Sequence, residues 1–215
     1  MAFWEKANRE QLIFLARVAN AAERFDEMRK LVKVLVEKVV PEGSGETDLT
    51  VDERNLVATA YKNATGACRS ARRTIEFIMG EEAKDPELKK TGEDYLALIE
   101  KELEAICLEI LQLLTDRLLH VNKGKEGADY DEVRAYYLKM AADYHRYLAE
   151  SKPEAEHKDK AAEYYKQGIE IAKKTLPVTH PVRLGVALNY AVCLYEILKK
   201  TKEACELLES TSNEA

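Results

Sequence analysis

Apolar residues recur along this chain at the three- and four-residue intervals of a single helix face. The longest such stripe, Leu88, Tyr95, Ile99, Leu103, Ile106, Ile110 and Leu113, covers about 30 residues, on the order of 45 Å of α-helix. Helix starts are marked as well. Thr50-Val51-Asp52-Glu53 has the spacing of a capping box, in which hydroxyl and carboxylate each satisfy a free backbone N–H of the first turn. Asp85-Pro86-Glu87 puts an N-cap before a proline at the first helical position, and Thr179-His180-Pro181 does something similar. Breaks fall at Pro41 to Asp48 (with Gly43 and Gly45), Lys123 to Gly127, Ser151-Lys152-Pro153 and Leu176-Pro177. Together these signals predict helices near 3 to 20, 23 to 40, 51 to 80, 86 to 119, 129 to 150, 159 to 175, 180 to 199 and 201 to 210, with no strand. Long amphipathic helices joined by short loops pack side by side, so the expected fold is an all-α antiparallel array of eight helices, a single domain over residues 1 to 215.

Composition agrees with that pattern. Nine Gly and five Pro give too little turn punctuation for a β-rich fold of 215 residues. A formal charge of -6 disfavours an electrostatic grip on a DNA or RNA backbone across the whole surface, so any anion site must be local and no nucleic-acid partner is expected. No apolar run approaches the ~20 residues of a membrane span, and Met1-Ala2-Phe3-Trp4-Glu5-Lys6 lacks the basic start and apolar middle of a secretory signal. A protein of the cytosol or nucleus without a membrane partner is expected. Cys68, Cys107, Cys193 and Cys205 are widely spaced with no Cys-x-x-Cys, which predicts reduced and mostly buried thiols.

One segment stands out against the acidic background. From Arg54 to Ile75 there are five basic residues and no acidic one. On a helix Lys62, Arg69 and Arg73 fall within about 20° of one line, while Ala71, Ile75 and Ile78 lie roughly 140° to 180° away on a small, apolar face. Alone, such a stripe reads as a solvated face or one neutralised by neighbouring carboxylates. A second helix repeats the seven-residue spacing with Lys139 and Arg146, and Tyr147 follows directly. Two stacked pairs of cations and a phenol suit a phosphate dianion, because each charge-assisted hydrogen bond is worth roughly 1.5 to 3 kcal/mol. A third helix carries Gly185, Asn189, Val192 and Glu196 on one face, with Leu188 beside them. Asn can hold a peptide N–H and C=O together, although core packing around one polar residue explains the same spacing.

The stretches RNLVATAYKNATGACRSARR, YYLKMAADYHRYLAE and THPVRLGVALNYAVCLYEIL, in that order and at those separations, resemble the 14-3-3 family. The resemblance covers about residues 8 to 210. It implies a tetratricopeptide-related array of antiparallel helices, a cup-shaped dimer, and a groove in each subunit for phosphoserine or phosphothreonine segments of client proteins. Carried over, the phosphate pocket is Lys62, Arg69, Arg146 and Tyr147; Asn189 holds the peptide backbone, and Lys139, Asp143, Leu188, Val192 and Glu196 line the groove. The dimer contacts fall on Val18, Ala22, Ala71, Ile75, Ile78 and Tyr95, with an Arg24 to Glu102 ion pair. The implied partners are phosphorylated clients and a second subunit, identical or from another member of the family.

Some positions depart from the family's pattern. Leu98 stands opposite Glu27 where a lysine usually completes a second ion pair, Ala71 replaces a serine that some members phosphorylate, and Arg72 replaces an aromatic. The loop from Pro41 to Thr50 is long, and the sequence stops at Ala215, where the family has a ninth helix forming the other groove wall. Catalysis finds no support: His120, His145, His157 and His180 are scattered in sequence, there is no His-Glu-x-x-His, and Gly43-Ser44-Gly45 lacks a following Gly-Lys-Ser/Thr. No cofactor or metal is therefore expected, since Glu154-Ala155-Glu156-His157 offers only one Glu-x-x-His. The rival readings are a tetratricopeptide-like scaffold, suggested by AAEYYKQGIEIAKKTLP and the helices after it, and a degenerate 14-3-3 relative with little affinity for phosphate.

Overall fold

The computed structural model describes residues 3–43, 48–82, 85–121, 124–151 and 155–214. Parts of the expected breaks, at 44–47, 122–123 and 152–154, and the end at Ala215 lie outside the described residues. Among the described residues there are eight α-helices and no strand: α1 (Arg9–Ala21), α2 (Phe25–Val39), α3 (Val51–Glu82), α4 (Pro86–Asp116), α5 (Ala128–Ser151), α6 (Ala155–Thr175), α7 (Pro181–Glu196) and α8 (Thr201–Glu214). Two compact units divide them, residues 1–39 with 49–110, and residues 40–48 with 111–215.

In the first unit, α1, α2, α3 and most of α4 enclose a core of Leu12, Ala16, Met28, Val32, Leu35, Val36, Ala60, Tyr61, Leu103, Cys107 and Ile110. The expected capping box is present. Thr50 N–H donates to Glu53 (2.7 Å) and Glu53 N–H donates to the Thr50 hydroxyl (3.3 Å). Glu53 is 1% exposed and its carboxylate also accepts from Nε and Nη2 of Arg9, each at 2.6 Å. A partly buried carboxylate, Glu109, accepts from Arg29, the Tyr61 hydroxyl (2.9 Å) and Lys33 (3.1 Å). The stripe on α4 splits in two: Leu103, Ile106, Ile110 and Leu113 are buried, but Leu88 and Tyr95 are 63% and 55% exposed.

In the second unit α5 packs along α6, α6 against α7, and α7 against α8. Ala142, Ala161, Tyr165, Val186, Tyr190, Cys193, Leu194 and Ala204 form its core. At Gly168 of α6 an added Cβ would stand 3.3 Å from the Val186 side chain of α7 and 3.7 Å from the Ala135 carbonyl of α5, so a larger residue fits only if Val186 gives by a few tenths of an ångström. Arg117 donates to the Val40 carbonyl (2.7 Å) and Gly43 N–H to the Asp116 carbonyl (3.1 Å), which ties residues 40–43 to the end of α4.

Several boundaries differ from the expected ones. The first predicted helix is a 3-10 turn, Phe3–Lys6, followed by α1, which Asn8 caps with Gln11 in a reciprocal capping box. The second begins at Phe25 and not at 23, because Glu23 adopts the left-handed conformation with φ 55. Likewise α7 stops at Glu196 and Lys199 turns the chain with φ 57. At its start the capping side chain is His180, which accepts from Val182 N–H at 3.3 Å. After α4 ends at Asp116, Leu118–His120 form a 3-10 turn, and α6 begins at Ala155, four residues before the predicted 159.

Candidate functional site

The cationic stripe lies on α3 in the first unit. Lys62 and Arg73 are exposed and Arg69 is half-buried. Two other cations of the run are used structurally. Arg54 donates to the Leu49 carbonyl (2.9 Å), and Arg72 pairs with Glu76 of its own helix (2.9 Å) and with Glu100 of α4 (3.3 Å). The unusual Arg72 is therefore a helix-to-helix tie.

On the same unit the expected dimer residues are accessible. Val18, Ile78 and Tyr95 are 47%, 46% and 55% exposed, Leu98 is 60% exposed, and Ala22 is exposed while Ala71 and Ile75 are partly so. Phe14 and Phe77, absent from the sequence-based set, are exposed too. Arg24 and Glu102 line one concavity with Cys68 and Ile106, and within the chain Arg24 pairs with Glu27.

The second unit brings the α5 and α7 candidates together around Asp143. This carboxylate is 8% exposed and accepts from Lys139 Nζ (2.9 Å), Asn189 Nδ2 (2.8 Å) and the Tyr165 hydroxyl. The i, i+4 spacing on α5 delivers the lysine, and α7 delivers the asparagine. Gly185, one turn before Asn189, faces the Lys139 stem, with its Cβ position 3.9 Å from Lys139 Cδ.

Arg146 occupies the next turn of α5 and is 7% exposed. Its Nε donates to the Tyr165 hydroxyl (3.2 Å), its Nη1 to Glu150 (3.1 Å), and its Nη2 lies 3.6 Å from Asp143. The guanidinium also covers the Tyr147 ring at 4.7 Å, a cation–π contact. Burial opposes the charge, but Tyr165 and Asp143 outweigh it and hold the guanidinium above the ordinary arginine value. Burial next to Asp143 pushes the Tyr165 phenol upward, so it remains a neutral donor.

Tyr165 and Glu150 were not among the sequence-predicted residues. Tyr165 shares a helix face with the core positions Ala161 and Ala172, so its pattern reads as packing alone. Leu188 is 54% exposed, Val192 partly buried and Glu196 exposed, each on α7.

The histidines are not all apart. His145 of α5 and His157 of α6 bring their Nδ1 atoms to 3.1 Å, and His145 stacks on Tyr164 at 5.7 Å and 13°. Burial and the neighbouring His157 hold the His145 imidazole down to about 4, hence neutral near pH 7. Among the described residues no three His, Cys, Asp or Glu side chains converge as a metal-ligand group. No described helix is long and apolar enough to cross a membrane, and none of the four cysteines is in a disulfide: Cys68, Cys107 and Cys193 are buried and Cys205 is exposed.

Compared with known proteins, the sequence matches the 14-3-3 protein family over residues 15–215. It is 41% identical over 220 residues to a 14-3-3 protein of Eimeria tenella, covering 98% of this chain and 77% of that protein. A 14-3-3-like protein of Chlamydomonas reinhardtii is 42% identical over 214 residues, with 97% and 78% covered. The 14-3-3-like protein D of Nicotiana tabacum is 40% identical over 220 residues, with 100% and 84% covered.

Proposed function

This chain belongs to the 14-3-3 family, and we propose that it is a non-catalytic regulatory adaptor that grips phosphoserine or phosphothreonine segments of client proteins. Family membership supports the adaptor role in general; the phosphate specificity rests on the side chains. In the proposed assignment Lys62 and Arg69 of α3 and Arg146 and Tyr147 of α5 take the phosphate. Asn189 takes the peptide backbone, and Lys139, Asp143, Leu188, Val192 and Glu196 line its path. We assign the working form as a dimer, homotypic or with another family member, through Val18, Ala22, Ala71, Ile75, Ile78 and Tyr95 with an Arg24 to Glu102 pair, in the cytosol or nucleus.

The observation that supports this reading best is the state of Arg146. A guanidinium that is 7% exposed, kept charged and held 4.7 Å over the Tyr147 ring is already desolvated and oriented, so less ordering entropy opposes its bond to a phosphate. One observation favours the degenerate-relative reading instead. The donor edges of Arg146 already meet Tyr165, Glu150 and Asp143, so a phosphate must compete with carboxylates for them.

Fluorescence anisotropy with one labelled peptide, phosphorylated and unphosphorylated, decides between the two. The adaptor reading expects the phosphorylated form to bind at least about 100-fold tighter, roughly 2.7 kcal/mol. Equal affinity for both forms overturns it and leaves a scaffold that no longer reads phosphate.

A further inference from the structure

We propose that His145 and His157 form a site for a borderline divalent cation of the zinc class, held through their two Nδ1 atoms with water completing its coordination. The two nitrogens are 3.1 Å apart. Imidazole nitrogens bound at ~2.0–2.1 Å to one Zn2+ are separated by about 3.4 Å at a tetrahedral angle and about 2.9 Å at a right angle. The observed separation lies between those limits, so the two rings can share an ion with a small χ2 rotation of His157, a soft torsion in histidine.

The two rings come from different helices and are held differently. His145 on α5 is buried and stacked on Tyr164 of α6, which fixes its plane. His157 on α6 is only partly buried and gives the ion its route from solvent. The ring centroids are 5.3 Å apart with planes at 34°, so the pair is splayed, not stacked face to face. The charged side chains of α6 that act on His145, Lys160 and Glu156, neutralise each other through a 2.6 Å ion pair, so the lysine opposes a cation only weakly. A donor set of two imidazoles selects zinc, nickel or copper over calcium or magnesium, which demand oxygen ligands.

Without metal the Nδ1 to Nδ1 contact needs one N–H and one lone pair. Metal binding needs both lone pairs, so the ring that carries its proton on Nδ1 moves it to Nε2 through solvent, with no net proton released. The tautomer change is the signature of the site. Because the ion would clip α5 to α6, it also stabilises the native state by mass action.

The test is calorimetric titration of the chelator-treated full chain with ZnSO4, with MgCl2 as control. A single zinc site of micromolar affinity is expected, weakened at least about tenfold by His157→Gln or His145→Phe and unchanged by Cys205→Ser, which removes the exposed thiol. Long-range 1H–15N spectra should show both rings as Nε2–H tautomers in the zinc form. Absence of binding at about 100 µM free zinc, or zinc binding that survives His157→Gln, overturns the site. Should His145→Phe fail to fold, the His157→Gln titration and the ring spectra of the unaltered chain still decide.

Discussion

Asp143 and Arg146, less than one turn apart on α5, are joined through a single phenol: Tyr165 donates its hydroxyl to Asp143 and accepts from Arg146 Nε at 3.2 Å. The bridge keeps a carboxylate and a guanidinium neutralised inside the second unit, while Lys139 and Asn189 share the same carboxylate. A phosphate arriving at Arg146 would therefore exchange partners within an existing network and need not recruit a solvated side chain.

Removing the bridge leaves Asp143 with its other donors but strands a buried Arg146 Nε. Tyr165→Phe should then lower stability by about 1 to 3 kcal/mol, the cost of an unsatisfied buried donor less the packing that phenylalanine retains. Urea denaturation followed by circular dichroism checks this; a midpoint equal to that of the unaltered chain would show that Nε finds water instead.

Phosphate affinity should depend on geometry at Arg146 and on charge at the α3 positions. Arg146→Lys keeps the charge but loses the planar fork, and is expected to weaken phosphopeptide binding at least about tenfold, ~1.4 kcal/mol. Lys62→Glu and Arg69→Glu add repulsion to a lost bond and should cost as much or more. Normal binding by all three variants, with helicity intact, would move the phosphate site elsewhere.

Dimer formation should bury apolar side chains that the single chain leaves open. Val18, Tyr95 and Leu98 are 47%, 55% and 60% exposed, and a second subunit on this unit would take them out of water. The double variant Val18→Asp, Tyr95→Asp is expected to sediment as a monomer at about 10 µM, where the unaltered chain sediments as a dimer. A monomeric unaltered chain at that concentration would contradict the assignment.

Helix positions were legible because caps and apolar spacing are local properties: Thr50 to Glu53 and Asp85 mark their starts through side-chain bonds that any reader can anticipate. The turns at Glu23 and Lys199 were not, since a glutamate and a lysine take the left-handed conformation that glycine usually signals. The Asn8 to Gln11 box was visible but lay inside a longer apolar pattern that ran across it. At the candidate site the cations could be read from their seven-residue spacing, whereas Tyr165 looked like core and the His145 to His157 contact depends on how α5 meets α6, which no local pattern encodes.

The last prediction concerns Glu53 and Arg9, where the two partners of one ion pair should differ in cost. Glu53 is 1% exposed, whereas the Arg9 side chain is 45% exposed. Burial pushes the Glu53 carboxyl up, but Arg9 and Thr50 outweigh burial and hold it below the ordinary glutamate value. An acid with a depressed folded value binds fewer protons folded than unfolded. Its stabilisation is therefore complete above the unfolded value near ~4.3 and is lost as the pH falls through the folded one. Glu53→Gln should cost about 1 to 3 kcal/mol at pH 7, because the freed guanidinium can hydrate, and should flatten the loss of stability below about pH 4.5. Arg9→Ala should cost more, about 3 kcal/mol, because it leaves a buried carboxylate with no cation and only its bonds from Thr50. In that variant burial is expected to outweigh the Thr50 bonds and push the Glu53 carboxyl above its unfolded value, so the sign should reverse and the penalty shrink on acidification as the carboxyl takes up a proton. Urea midpoints for the three proteins at pH 7, pH 5 and about pH 4 read both effects; an Arg9→Ala penalty that is smaller than that of Glu53→Gln, or that grows toward pH 5, would mean that Glu53 is held by its cap at Thr50 and not by the arginine.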